Sequence, residues 1–203
     1  MSVASPKFSL ILIRHGETEW SLSGQHTGTT DLPLLPEGEE CARRAGEVIK
    51  DMPLAAVFVS PLQRARRTAE LAGITDYEID PDLREWDYGA YEGMTTPQIR
   101  EQCGNPEWEI FKDGVVPGVT RGETVEDVAA RVSHIVEKAV PLLDEGNVVA
   151  FAHGHSLRIL ASVFLQTVPR LGAKLMLDAG AVSMLGYYHG NPCIQVWNRS
   201  TRE

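Results

Sequence analysis

Residues 8–18 read Phe8-Ser9-Leu10-Ile11-Leu12-Ile13-Arg14-His15-Gly16-Glu17-Thr18. The nearly continuous apolar run from Phe8 to Ile13 is the pattern of a strand buried on both faces, and it breaks off at Arg14-His15-Gly16. The same pattern recurs twice. Ala55 to Val59 stops at Ser60-Pro61, and Val148 to Ala152 stops at His153-Gly154-His155. Helical patterns lie between these runs. Pro36 opens one over Glu37 to Met52, with Ala42, Ala45, Val48 and Ile49 on one face. A second runs from about Leu62 to Ala72 and ends at Gly73. The longest covers Val125 to Leu143, its inner face Val125, Val128, Ala129, Val132, Ile135, Val136, Ala139 and Leu142. Thr124 and Asp127 resemble a capping box at its start, with Asp in place of the usual Glu. A further helix begins at Ser156, and two strands follow near Ala181–Tyr188 and Cys193–Trp197. Strands alternating with helices predict an α/β three-layer sandwich, a largely parallel sheet with helices on both faces. No repeat or linker interrupts it, so residues 1–203 are read as one domain, with a loop-rich excursion at about 80–122.

The chain has 203 residues, of which 43% are hydrophobic, enough for one sizeable core. Its formal charge of −9 argues against non-specific binding of nucleic acid or an anionic membrane. Cys41, Cys103 and Cys193 are scattered, with no Cys-x-x-Cys pair for a zinc ribbon or a disulfide framework. The start of the chain lacks a basic segment followed by a long apolar one, and Leu10–Ile13 is too short to span a bilayer. The expectation is a soluble, reduced, cytoplasmic protein; oligomeric state is not legible.

Each of the three apolar strands leads into polar residues at its C-terminal end, the edge where open α/β sheets bind ligands. Two His and at least two Arg are thereby expected to converge. Arg carries a planar fork of donors matched to phosphate oxygens, and the helix N-termini that follow the strands also favour an anion. Arg64 sits in the first turn of its helix, where its charge opposes the helix dipole and a bound anion would offset the cost. Arg66 and Arg67 read as a solvated helix face. An acidic protein with a local basic pocket points to a phosphoryl group.

Four motifs in order resemble the histidine phosphatase superfamily, the phosphoglycerate mutase-like family, over almost the whole chain. Arg14-His15-Gly16-Glu17-Thr18 is similar to its nucleophile motif and Ser60-Pro61-Leu62-Gln63-Arg64-Ala65 to its phosphate-arginine motif. Leu83-Arg84-Glu85-Trp86-Asp87-Tyr88-Gly89 resembles the acid motif, and Ala152-His153-Gly154-His155 the second histidine motif. Trp20-Ser21, Thr27 to Leu34, Tyr91-Glu92-Gly93 and Leu177-Asp178-Ala179-Gly180 look closer still to sedoheptulose-bisphosphatase-type and bacterial acid phosphatase members. The resemblance implies a phosphoglycerate mutase-like fold and a phosphomonoester hydrolase that works through phosphohistidine on small phosphorylated metabolites, sugar phosphates first, without metal or other cofactor. It implies His15 as nucleophile, with Arg14, Arg64 and His153 around the phosphoryl oxygens. Glu85 would be the acid that protonates the leaving oxygen, and it needs to hold a proton near neutral pH. Ser21, Gln25, Thr27, Gly28 and His155 fall on the substrate side. Asp82, Asp87 and Glu92 are rivals of Glu85, with the bland reading, loop carboxylates, preferred.

The departures bear on the reaction. Ser21 stands where many members carry Asn, and Gln25 where glycolytic mutases usually carry Arg. Between Glu85 and His153 there is no Arg-Arg pair, only dispersed Arg100, Arg121 and Arg131, and only Arg199 to Glu203 follow the last predicted strand. These features favour hydrolysis over a phosphoglycerate mutase, the alternative from the isomerases; a catalytically idle protein that holds a phosphorylated ligand is another. A metal hydrolase using His153-x-His155 lacks an accompanying Asp/His cluster, and Cys193-x5-Arg199 lacks the Gly of a phosphate cradle. No P-loop or Gly-x-Ser-x-Gly occurs. Trp20, Trp86, Tyr88, Tyr91 and Trp108 are candidates to wall a sugar phosphate, with core packing as their plainer role.

Overall fold

The computed structural model describes residues 6–202. Its centre is a six-stranded sheet formed by β1 (Leu10–Arg14), β2 (Leu54–Val59), β3 (Glu78–Ile79), β4 (Asn147–Ala152), β5 (Val182–Tyr188) and β6 (Asn191–Arg199), in the order β3-β2-β4-β1-β5-β6. The first four in that order are parallel, and β5 and β6 close the far edge as an antiparallel pair. Alternation along β1 explains the layers. Leu10 and Leu12 join one apolar cluster with Val128, Val132 and Leu157, while Ile11 and Ile13 join the other with Ala45, Ile49, Ala65 and Ala69. Helices α6 (Val125–Leu142) and α7 (Gly154–Phe164) therefore cover one face, and α2 (Pro36–Ile49) and α3 (Gln63–Leu71) the other. This is the three-layer arrangement the sequence predicts.

The helix signals act as expected. Pro36 is at the start of α2, the Thr124–Asp127 capping box opens α6, and Gly73, with φ of +84°, follows α3. Elements the sequence did not reveal are short. They are α1 (Glu19–Ser23), β3, α4 (Thr96–Cys103) and α5 (Ile110–Asp113), the last two within the stretch expected to be loop-rich. Helix α7 begins at Gly154, two residues before the predicted start at Ser156. That shift matters, because it makes His155 and Ser156 first-turn residues whose backbone N–H groups have no partner within the helix and can serve another group.

Register brings the strand ends together. Arg14 pairs with Ala152, and Val59 with Phe151. The residues that follow, His15, His153 and Ser60, thus leave the sheet side by side. A glycine is required just beyond β1, because a Cβ on Gly16 would lie 2.1 Å from the Gly38 carbonyl oxygen of α2.

Candidate active site

At the C-terminal edge of β1 and β4 lies a cleft of about 320 Å³ whose lining includes Arg14, His15 and Glu85. His15 is buried, and its Nδ1 lies 2.7 Å from the Gly16 carbonyl oxygen. A carbonyl can only accept, so Nδ1 carries the proton and Nε2 keeps its lone pair. Burial, and then the charges of Arg64 and Arg14, hold the His15 imidazole well below its usual range, as the neutral ring. Arg14 donates from Nη1 to the Leu177 carbonyl oxygen at 2.5 Å, while its Nε is buried without a protein partner.

Arg64 and His153 are fully buried and form the next layer. Arg64 donates to the carbonyl oxygens of Thr30 (2.9 Å), Thr27 (3.0 Å) and Gly28 (3.2 Å), and from Nε to His153 Nδ1 (3.1 Å). Because Nδ1 accepts, the His153 proton is on Nε2, which donates to Ser60 Oγ at 2.7 Å. The His15 and His153 rings are 5.1 Å apart. The loop carbonyls thus offset much of the charge of Arg64 in the first turn of α3, a role for which a ligand anion was expected.

Glu85 is held by the backbone N–H groups of Trp86 (2.9 Å) and Ser156 (2.9 Å) on Oε1 and of His155 (3.0 Å) on Oε2. Two of these donors are the first turn of α7, where a negative charge is favoured. The rivals have other work. Glu92 accepts from Gly28 N (3.0 Å) and Thr30 N (2.9 Å) and so shapes the loop that caps Arg64. Asp87 accepts from Gly89 N and Thr120 Oγ1, and Asp82 pairs with His134 at the surface.

Of the residues expected on the substrate side, Ser21, Gln25, Thr27 and His155 line the cleft. Ser21 Oγ is bound to the backbone of Thr18 in the cap of α1, and Gln25 Nε2 donates to Gly93 O at 2.7 Å. Gly28 lies outside the cleft wall, packed where a Cβ would be 2.4 Å from the Trp86 carbonyl oxygen. His155 Nδ1 is 2.6 Å from Tyr88 Oη; burial and Arg158 hold this imidazole well below its usual range, and burial with Glu85 pushes the Tyr88 hydroxyl up. Tyr88 and Trp108 reach the cleft while also packing in the core, whereas Trp86 and Tyr91 are core residues alone.

Sequence reasoning missed several contributors. His26 lines the cleft, its ring stacked parallel to His155 at 6.0 Å and its Nδ1 bonded to Met94 O at 2.8 Å. Arg100 and Arg158 line it as well. Arg131, counted only as dispersed, is buried and makes a two-pronged pair with Glu123 at 2.9 Å on each prong. Its remaining donors hold the carbonyls of Asp82, Arg84 and Glu85. Burial works against the Glu123 carboxylate, but the Arg131 fork outweighs it and holds it below the usual range. An Arg on the buried face of a predicted helix was the available signal. Among the described residues, no group of three or more His, Cys, Asp or Glu could hold a metal ion, and no helix is long and apolar enough to cross a membrane.

Comparison with known proteins places this geometry. Residues 10–200 match the family model of the histidine phosphatase superfamily (branch 1). An acid phosphatase of Mycobacterium tuberculosis is 37% identical over 183 residues, covering 89% of this chain and 87% of the relative. The sedoheptulose 1,7-bisphosphatase of Saccharomyces cerevisiae is 33% identical, with 89% and 88% covered. A solved structure of a Mycobacterium tuberculosis open-reading-frame product superposes with a TM-score of 0.89 at 34% identity, over 96% of this chain and 99% of the other. The fold is thus phosphoglycerate mutase-like, and phosphoryl chemistry on a phosphorylated small molecule, by a phosphatase or a mutase, is what this membership carries. The chain belongs to the histidine phosphatase superfamily, branch 1.

Proposed function

We propose that the protein is a phosphomonoester hydrolase that passes the phosphoryl group of a small phosphorylated metabolite, a sugar phosphate first among them, to His15 and then to water, without a metal ion. One observation carries the reading: the 2.7 Å bond from His15 Nδ1 to the Gly16 carbonyl, which keeps a lone pair on Nε2 in a cleft shared with Arg14 and Glu85. In the first step Nε2 attacks phosphorus, the ester P–O bond breaks, and Glu85 gives a proton to the departing oxygen. Arg14 neutralises charge on the transferring group, and buried Arg64 supports it from behind. The arriving phosphoryl group supplies the like-charge repulsion that favours the protonated form of Glu85. In the second step Glu85, now a carboxylate, takes a proton from water as its oxygen attacks phosphorus and the P–N bond breaks, which returns neutral His15.

The test is phosphate release from p-nitrophenyl phosphate with and without EDTA, together with a cold quench that traps a phosphoenzyme. Release unaffected by EDTA, with a label that is acid-labile and base-stable as a P–N bond is, supports the reading. Release that requires a metal ion, or no release with tight phosphosugar binding, overturns it. A mutase is the second reading, and the cleft position of Arg100 and Arg158 favours keeping it, since they give a phosphoglycerate a second grip in place of the missing Arg-Arg pair. Incubation with 3-phosphoglycerate and catalytic 2,3-bisphosphoglycerate separates the two. Hydrolysis without isomerisation is expected, and sustained 2-phosphoglycerate formation faster than phosphate release makes the enzyme a mutase.

A further inference from the structure

Two imidazoles in the cleft take no part in the phosphoryl transfer proposed above. His26 comes from the loop after α1 and His155 from the first turn of α7. Both line the cleft that holds His15 and Glu85, and their rings lie parallel with centroids 6.0 Å apart. Packing is the ordinary role of such histidines, and Tyr88 and Trp108 do meet the His26 ring edge-on, at 4.9 and 5.9 Å. Packing alone does not account for their hydrogen bonds, which set opposite proton positions on the two rings.

His26 is clamped to the segment after Glu92. Its backbone N–H donates to the Met94 carbonyl at 2.9 Å, its own carbonyl accepts from Gly93 N at 2.8 Å, and its ring Nδ1 lies 2.8 Å from the same Met94 carbonyl. A carbonyl only accepts, so the ring proton is on Nδ1 and Nε2 keeps its lone pair. Burial holds this imidazole below its usual range, as the neutral ring. His155 is the reverse. The Tyr88 hydroxyl, 2.6 Å from its Nδ1, is buried and has no other partner among the described residues. The phenol therefore donates to Nδ1, and the proton of the neutral His155 ring is on Nε2. Among the described residues, the side-chain nitrogens and oxygens that are both buried and unpartnered are Arg14 Nε, Arg66 Nε and Ser156 Oγ. The Nε2 atoms of His26 and His155 have no protein partner and are not among these, so both open on the cleft. One is an acceptor, the other a donor, and neither is charged.

We infer that His26 and His155 read a hydroxyl group on the leaving-group side of the substrate, His26 Nε2 accepting its proton and His155 Nε2–H donating to its oxygen, which makes His26 a specificity-determining residue. This rests on the phosphatase reading above. The chemistry of the pair selects the group. An anionic oxygen only accepts and would face the His26 lone pair, an ammonium only donates and would face the His155 proton, and a hydroxyl satisfies both. The side of the cleft follows from Glu85, the proposed acid for the leaving oxygen, whose Oε2 takes the backbone N–H of His155 at 3.0 Å. A leaving group that lacks the hydroxyl drives water from both nitrogens and returns no bond, so it is penalised in kcat/KM.

The test uses substrate pairs matched in charge and carbon skeleton. Glycerol 3-phosphate is compared with n-propyl phosphate, and glycerol 2-phosphate with isopropyl phosphate, for the wild type, His26→Phe and His26→Gln. The ratio of kcat/KM within a pair is the readout. The wild type is expected to favour the hydroxylated member of at least one pair by roughly ten- to a hundredfold. His26→Phe keeps a ring but no acceptor, and should shrink that ratio about fivefold or more, chiefly by slowing the hydroxylated member. His26→Gln can set an amide oxygen in place of Nε2 and should keep more of the preference than His26→Phe. Equal loss in both variants would assign the effect to ring shape and overturn the acceptor role. If His26→Phe does not fold, nitrogen chemical shifts give the readout in the His15→Ala protein. There glycerol 3-phosphate should move the His26 Nε2 resonance upfield and n-propyl phosphate should not, and no difference between them overturns the inference. A wild type that hydrolyses p-nitrophenyl phosphate but shows no preference in either pair overturns the hydroxyl reader alone, as does a preference undiminished in His26→Phe. A wild type with no phosphatase activity at all overturns the reading beneath it.

Discussion

His15 and Glu85 face one cleft from two regions that are built differently. His15 follows β1, whose place is set by ladders to β4 on one side and β5 on the other, so its backbone is fixed by strand register. Glu85 lies in a segment between β3 and α4 that belongs to no ladder. That segment is fixed by one buried guanidinium, Arg131, which gathers the carbonyls of Asp82, Arg84 and Glu85 while pairing with Glu123. Glu123 in turn accepts from Asp87 N at 3.0 Å, and its carbonyl takes the Trp86 indole N–H at 2.7 Å. A ladder spreads positional constraint over many weak, redundant bonds. A buried ion pair concentrates it in two residues, and removing either partner leaves an uncompensated charge. The proposed nucleophile is thus insensitive to most single changes outside its own side chain, whereas the proposed acid is exposed to changes some forty residues away in sequence.

The sharpest break is at His15 itself. His15→Ala should reduce turnover to background, a loss of about 10⁴-fold or more, because the covalent route disappears while the fold stays. Loss of the acid-labile phosphoenzyme, measured by cold quench, should accompany it. Turnover that persists in this variant removes the mechanism.

Glu85→Gln tests the other region and discriminates by leaving group. Sugar phosphates, whose alkoxide needs a proton, should slow by about 10²–10⁴ in the burst phase. p-Nitrophenyl phosphate should slow much less in that phase, because its phenolate leaves unaided. Asp82→Asn and Glu92→Gln should leave this leaving-group dependence intact. If either reproduces the pattern and Glu85→Gln does not, the acid is misassigned.

The two scaffolds differ in legibility for the same reason they differ in fragility. Strand ends announce themselves locally: apolar runs stop at Arg14-His15-Gly16, Ser60 and His153-Gly154-His155, and parallel pairing then brings them together. Three layers, their helices and three parallel strands follow from patterns a few residues long. Arg131 could be suspected only from its place on the buried face of a predicted helix, and nothing local marks Arg100 or Arg158 as cleft residues, since spacing in sequence does not say which helices meet there. Helix α4 was hidden because only Ile99 of its eight residues is buried, so no apolar stripe shows. What the sequence did not show at Arg64 is the share of three loop carbonyls, of Thr27, Gly28 and Thr30, in meeting its charge.

Arg131→Met should then cost about 3–5 kcal/mol of stability, as for one partner taken from a buried pair. The value should lie toward the low end, since Arg84 also reaches Glu123 at 3.2 Å. Arg131→Met with Glu123→Leu should cost less than Arg131→Met alone. Urea unfolding measures both, and equal costs would mean that the pair is not the organising contact. In the folded fraction, the sugar phosphate rate should fall more than the p-nitrophenyl phosphate rate, because Glu85 loses its support.

The smallest effect concerns pH and returns to the strand-held side. Burial and the neighbouring arginines depress the affinity of His15 for a proton, so the ring stays neutral in the folded state below the usual imidazole range. An unfolded His takes up its proton near pH 6.5. Between that value and the lower folded one, the unfolded state binds the extra proton, so this term is fully present above about pH 6.5 and is lost as pH falls. His153 and His155 carry the same sign, and each contributes up to about 1.4 kcal/mol per pH unit in that window. The nucleophile itself gains from the same shift. An ordinary imidazole at pH 5.5 would be about nine-tenths protonated and roughly tenfold less reactive, whereas His15, its proton affinity depressed by burial and the two arginines, should lose less. Carbon chemical shifts of the His15 ring, followed from pH 7.5 to 5.5, should stay those of the Nδ1–H neutral tautomer. A ring that titrates near 6.5 in the folded protein would mean that the two arginines and burial do not act on it as the geometry requires, and the bond to Gly16 would no longer account for a neutral nucleophile.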